Sequence, residues 1–184
     1  MTKVLFVCHG NICRSPMAEF ILKDMVAKRG MADDFYIESC ATSTEEIWNG
    51  VGNPVYPPAR RELAKHGISC EGKRARQVTK SDYDRFDYLI CMDNNNMRNI
   101  KWIIPSDPHN KISKLMSFAG SNADVADPWY TGDFEITFSF HNHNKGANNW
   151  DNWALRFEEN TDNLWALRAD GYSVETFSGS TVTY

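Results

Sequence analysis

Short apolar runs alternate with amphipathic stretches over the first two thirds of the chain. Lys3 to Cys8 is a β-branched and aromatic run, the pattern of a buried strand. It breaks at Gly10 and restarts as a helix from Pro16 to Arg29. Ser15 is a natural N-cap there, Pro16 suits the first helical position, and Gly30 is a stop. Ala18, Ile21, Leu22 and Met25 share one face of that helix. Phe35 to Ala41 predicts a second strand, and two strands separated by one helix make a right-handed parallel βαβ unit. Thr42 to Tyr56 reads as a long polar loop and Pro57 to His66 as a helix closed by Gly67. Arg85 to Met92 predicts a third strand. Asp93 caps a helix running through Ile104, and Lys111 to Met116 is a short fourth strand. The alternation predicts an α/β fold, an open four-stranded parallel sheet with helices on both faces.

The pattern changes after Phe134. Phe134, Ile136, Phe138 and Phe140 alternate strictly with polar residues, a strand signal. Trp153 to Phe157 and Leu164 to Arg168 read as two further strands, joined through Asn160 to Asn163 as a hairpin. Trp129, Trp150, Trp153 and Trp165 crowd into or just before this β-rich, atypical C-terminal tail.

Composition narrows the class. A chain of 184 residues can bury one real core. A net charge of −4 argues against nucleic-acid binding. Five cysteines, several of them in or beside apolar runs, argue against a secreted disulfide framework and for a reducing, cytoplasmic setting. The apolar run at the N-terminus is too short for a signal peptide or a membrane span. No cofactor is implied. Cys8 with Cys13 lacks a second ligand pair for zinc, and His141 with His143 lacks a third ligand, so no metal is expected.

The chemistry concentrates in Val4-Leu5-Phe6-Val7-Cys8-His9-Gly10-Asn11-Ile12-Cys13-Arg14-Ser15-Pro16. A strand running through a tight loop into a helix makes an anion site, because loop N–H groups converge where the helix N-terminus is positive. Cys8 opens this loop and Arg14 closes it. A thiol facing such donors and a guanidinium is favoured as the nucleophilic thiolate. A guanidinium fork can hold two phosphoryl oxygens, and Ser15 can donate to the sulfur as it leaves. Phosphoryl transfer to sulfur followed by hydrolysis is the chemistry this suggests.

Cys-x5-Arg-Ser is the signature loop of cysteine-dependent phosphatases, and VCHGNICRSPMAE resembles the low-molecular-weight protein tyrosine phosphatase family. The resemblance runs from Val4 to about Phe134. Its further landmarks are Ala41-Thr42-Ser43, Cys91-Met92-Asp93 and Asp127-Pro128-Trp129-Tyr130-Thr131-Gly132-Asp133-Phe134. It implies a protein tyrosine phosphatase acting on phosphotyrosine-containing proteins through a cysteinyl phosphate. Residues 1–134 would form the phosphatase domain, without the family's C-terminal helix. Residues 135–184 would be a tail of unknown role, faintly similar to carbohydrate-binding β modules or serving dimerisation.

Cys8 is then the expected nucleophile, Arg14 the clamp and Asp127 the general acid. Asp127 follows a strand, beside the stiffening Pro128, and Asp124 reads as a solvated neighbour. The loop residues His9, Gly10, Asn11, Ile12, Cys13 and Ser15 would cradle the phosphate, and Trp48, Trp129 and Tyr130 would wall a slot for the phosphotyrosine ring. Asn11 suits a left-handed loop position, and the resemblance pairs it with a serine at the position of Ser43. It also implies a reversible Cys8–Cys13 disulfide under peroxide. Four other readings stand beside this one, the first a pure phosphotyrosine-binding module, which would not need both Cys8 and Asp127. An arsenate reductase of the same fold needs two further adjacent cysteines, whereas Cys70 and Cys91 lie far apart. An arginine phosphatase resembles the same loop with Thr in place of Ile12. A catalytically impaired phosphatase-like domain could be fused to a fragment of a sugar-binding module.

Overall fold

The computed structural model describes residues 1–134 and two strands beyond them, 154–159 and 165–170. In chain order the elements are β1 (Thr2–Cys8), α1 (Arg14–Lys28), β2 (Phe35–Ala41), β3 (Ile47–Trp48), β4 (Val51–Gly52), α2 (Pro57–Lys65), α3 (Lys80–Arg85), β5 (Tyr88–Cys91), α4 (Asn94–Asn99), β6 (Ile112–Lys114), α5 (Pro128–Thr131), β7 (Ala154–Glu159) and β8 (Trp165–Asp170).

Four strands form one parallel sheet in the order β2-β1-β5-β6. β1 is central, and its alternation feeds two cores. Val4, Phe6 and Cys8 pack with Ala18, Leu22 and Val26 of α1 on one face. Leu5 and Val7 pack with Tyr83 of α3, Phe86, Ile100 and Ile104 on the other. A strand buried on both faces in this way must be apolar throughout. A third cluster ties α1 to α2 through Met17, Ile21, Ala59 and Leu63, with Phe134 laid against it.

The chain leaves β1 toward β2, then crosses back to β5 on the other side. In open α/β sheets that reversal opens a crevice at the carboxyl ends of the strands. Cys8 ends β1 at this edge, opposite Ala41, and Asp93 follows the end of β5.

Local departures from the sequence reading have physical causes. Helix α1 starts at Arg14, not Pro16, and Cys13 is its N-cap residue without a side-chain cap bond. Ser15 does not cap; its hydroxyl turns inward to the sulfur of Cys8. The loop after β2 contains a small hairpin, β3–β4, turning through Asn49 (φ 50°) and Gly50 (φ 77°). An Asn-Gly pair at positive φ is the turn whose twist suits two antiparallel strands. Helix α3 had no counterpart in the sequence reading. It is opened by a capping box between Thr79 and Asp82. The helix expected from Asp93 through Ile104 divides into α4 and a 3₁₀ turn, Ile100–Trp102.

In the tail β7 and β8 pair antiparallel, from Ala154 opposite Asp170 to Glu159 opposite Trp165. These strands lie one or two residues further on than the two strands read from the sequence, and the segment 160–164 between them lies outside the described residues. The strand expected over Phe134 to Phe140 lies outside the described residues from 135 onward, as do His141 and His143.

Candidate active site

The loop between β1 and α1 is pinned from beneath by one asparagine. Asn11 is fully buried and left-handed, with φ 58°. Its amide nitrogen donates to Ser15 Oγ at 2.8 Å and to Ser39 Oγ at 2.7 Å, and its oxygen accepts from the Arg76 N–H at 3.2 Å. Three side-chain hydrogen bonds hold a conformation that costs free energy in a non-glycine residue. The partner serine is thus Ser39, on β2, and not Ser43. Ser43 Oγ makes a local turn instead, accepting from the Glu45 N–H at 3.1 Å. Ser39 in turn donates to Glu19 Oε2 at 2.6 Å, and Glu19 is paired with Lys73 at 2.7 Å.

Cys8 Sγ sits 3.0 Å from Ser15 Oγ and accepts from the Asn11 N–H at 3.3 Å. The Arg14 side chain is 3% exposed, with one end of its fork 2.5 Å from Asp93 Oδ2 and the other 2.5 Å from Asp127 Oδ2. Burial works against its charge, but Cys8, Asp127 and Asp93 outweigh that and raise Arg14 above its usual value. Asp93 does two jobs, since Oδ1 also caps α4 by accepting from the Asn96 N–H at 2.6 Å.

Asp127 reaches the loop because the segment before it is fastened to β5. The Val125 N–H donates to the Met92 carbonyl at 2.8 Å, and the Val125 carbonyl accepts from Arg14 at 3.1 Å. Asp124 is not simply solvated. It pairs with Lys114 at 3.0 Å and accepts from the Asn94 N–H at 3.2 Å, bracing the same segment. Asp127 then caps α5, accepting from the Trp129 N–H at 3.1 Å, with Pro128 opening the helix.

Cys8, Arg14 and Asp127 line a cleft of about 200 Å³, together with His9, Gly10, Ile12, Cys13, Trp129 and Tyr130. Trp129 leans on Tyr56, ring centroids 5.4 Å apart. Asn11 and Ser15 lie beneath the loop rather than on the cleft wall. Trp48 is also missing from the wall. It stands 70% exposed on the β3–β4 hairpin, and Glu45 and Glu46 line the cleft instead. Sequence reasoning passed over both glutamates. It also passed over Asp93 as the partner of Arg14, although Cys91-Met92-Asp93 stood among the landmarks. Cys13 is buried, and that burial, with Cys8 and Asp127 nearby, pushes its thiol well above the ordinary range. All five cysteines are free. Among the described residues no group of three or more His, Cys, Asp or Glu is placed to hold a metal ion, and no helix is long and apolar enough to cross a membrane.

Known proteins carry the same arrangement of elements. The family described as low molecular weight phosphotyrosine protein phosphatase matches residues 3–145. The chain is 47% identical over 140 residues to the low molecular weight phosphotyrosine protein phosphatase of Gallus gallus, covering 73% of this chain and 85% of that one. It is 41% identical over 137 residues to the low molecular weight protein-tyrosine-phosphatase YfkJ of Bacillus subtilis, with the same coverage. The crystal structure of YfkJ superposes with a TM-score of 0.71, covering 77% of this chain and 87% of that one at 38% identity. The chain belongs to the low molecular weight phosphotyrosine protein phosphatase family.

Proposed function

We propose that this protein hydrolyses phosphotyrosine in protein substrates, with Cys8 as nucleophile, Arg14 as clamp and Asp127 as general acid. The observation that carries the assignment is their convergence. Cys8 Sγ lies at the mouth of the loop, and Arg14 joins the loop to Asp127 across 2.5 Å. The phosphoryl oxygens enter between the loop N–H groups and the guanidinium, displacing the Asp127 side chain from Arg14 toward the leaving oxygen, where it takes up a proton from solvent. Sulfur attacks phosphorus, the bond from phosphorus to the phenolic oxygen breaks, and Asp127 gives that oxygen its proton. Water then attacks the cysteinyl phosphate. Asp127 takes the water's proton, and Ser15 Oγ donates to the departing sulfur. Backbone donors and Arg14 hold the equatorial oxygens through both steps. The walls at Trp129 and Tyr130 suit an aryl ester.

Rapid quenching during turnover of an aryl phosphate should leave phosphate on Cys8, located by mass spectrometry. Turnover with phosphate on another residue, or on none, overturns the assignment.

A reducing compartment, the cytoplasm, fits five free thiols. Under peroxide, Cys8 would become a sulfenic acid that Cys13 converts to a disulfide, releasing water. Thiol should restore activity, and Cys13→Ser should make the loss largely irreversible. A different disulfide in the peptide map would remove Cys13 from this role. Residues 1–134 form the catalytic domain in this reading. The tail is left with the roles its aromatic residues suggest, carbohydrate binding or dimerisation.

A further inference from the structure

The cleft is built for a dianion at its floor, yet its upper wall carries negative charge. Glu45 and Glu46 both line it, and among the described residues no lysine does. Arg14, which also lines it, is buried and bound to two aspartates.

Each carboxylate has a hydrogen-bond partner. Glu45 Oε2 is 2.8 Å from His9 Nε2, which joins it to the phosphate loop. Glu46 Oε2 accepts from Asn53 Nδ2 at 2.7 Å, and the Glu46 carbonyl accepts from the Asn53 N–H at 2.7 Å. Gly10 gives Glu46 its room, since a Cβ there would lie 3.0 Å from Glu46 Cγ. A side chain at position 10 would therefore press on the glutamate. Two residues further on, Trp48 is 70% exposed beside Val51, itself 60% exposed. An open indole two residues from a carboxylate on the cleft wall is a platform for a cationic side chain with an apolar stem.

We propose that the segment Glu45 to Trp48 selects phosphotyrosines flanked by lysine or arginine and disfavours those flanked by acidic residues. The inference rests on the phosphotyrosine reading and names its substrate class. The flanking cation sits against Glu45 and Glu46 with its stem on Trp48, while the phosphate goes to the loop.

The test uses two phosphotyrosine peptides of identical length, one with lysines and one with glutamates on both sides of the phosphotyrosine. The wild-type protein should favour the lysine peptide in kcat/KM by about fivefold or more, the scale of one or two exposed ion pairs. The preference should lie mostly in KM and shrink with added salt. The double variant Glu45→Gln, Glu46→Gln keeps acceptors for His9 and Asn53 and should bring the ratio toward one. Equal kcat/KM for the two peptides in the wild type overturns the inference, as does a ratio unchanged in the double variant. In both cases the phosphotyrosine reading survives, because the peptides are still hydrolysed. Turnover of neither peptide, with an aryl phosphate still hydrolysed, overturns both.

Discussion

Replacing Cys8 by serine should lower turnover of phosphotyrosine by about 10⁴-fold or more, the scale seen when a catalytic nucleophile is removed. The substitution changes one atom. Ser15 Oγ, at 3.0 Å from the sulfur, and the Asn11 N–H, at 3.3 Å, remain as partners for the smaller oxygen. Arg14 keeps Asp93, and the loop keeps its asparagine anchor. The anion site should therefore survive, and phosphate or vanadate should bind within about tenfold of the wild-type affinity, since a lost nucleophile removes no clamp donor. What is lost is a polarisable thiolate, because a serine hydroxyl without an adjacent base is a poor nucleophile. Steady-state turnover by the purified variant within about tenfold of wild type would remove Cys8 as nucleophile, that loss being far too small for one. Weak turnover together with lost vanadate binding would mean that the change had collapsed the loop.

The parts of this molecule that were legible in the sequence are those set by local pattern. β1 is apolar at every position from Val4 to Val7 because both of its faces are covered. The strand–loop–helix reading of the phosphate site followed from one break at Gly10. Contacts between distant segments were less legible. Asp93 meets Arg14 across 79 residues, and no spacing rule predicts that. Ser39 did leave a trace. It follows Phe35 and Ile37 in the row of β2 that faces α1, a polar residue in an apolar row, and it is fully buried. The pairing went instead to Ser43, four residues on and outside the strand. Trp48 shows the opposite failure. An aromatic residue in a loop near a cleft suggested a wall, but the Asn49-Gly50 turn fixes a two-residue hairpin that leaves the indole to solvent. The Asn-Gly signal was present, and strands of two residues are too short to show an alternation.

Replacing Asp127 by asparagine should slow phosphotyrosine hydrolysis by about 10²–10³-fold, the range for a lost general acid. The structure makes the interpretation more demanding than the number. Asp127 also caps α5, bonds Arg14 at 2.5 Å and lines the cleft. Asparagine keeps an oxygen for the Trp129 N–H, so the cap should hold to within a few tenths of a kcal/mol, Asn and Asp being near equals there. The ion pair with Arg14 is removed, which leaves the guanidinium freer to take an incoming dianion. The variant should therefore bind phosphate or vanadate at least as tightly as the wild type while turning over slowly. A positioning defect and a lost proton donor then separate by leaving group. An ester of an acidic phenol leaves without help, so its rate should fall much less than that of phosphotyrosine. A loss equal across leaving groups, together with weakened oxyanion binding, would mean that Asp127 acts through Arg14 and the loop rather than on the departing oxygen.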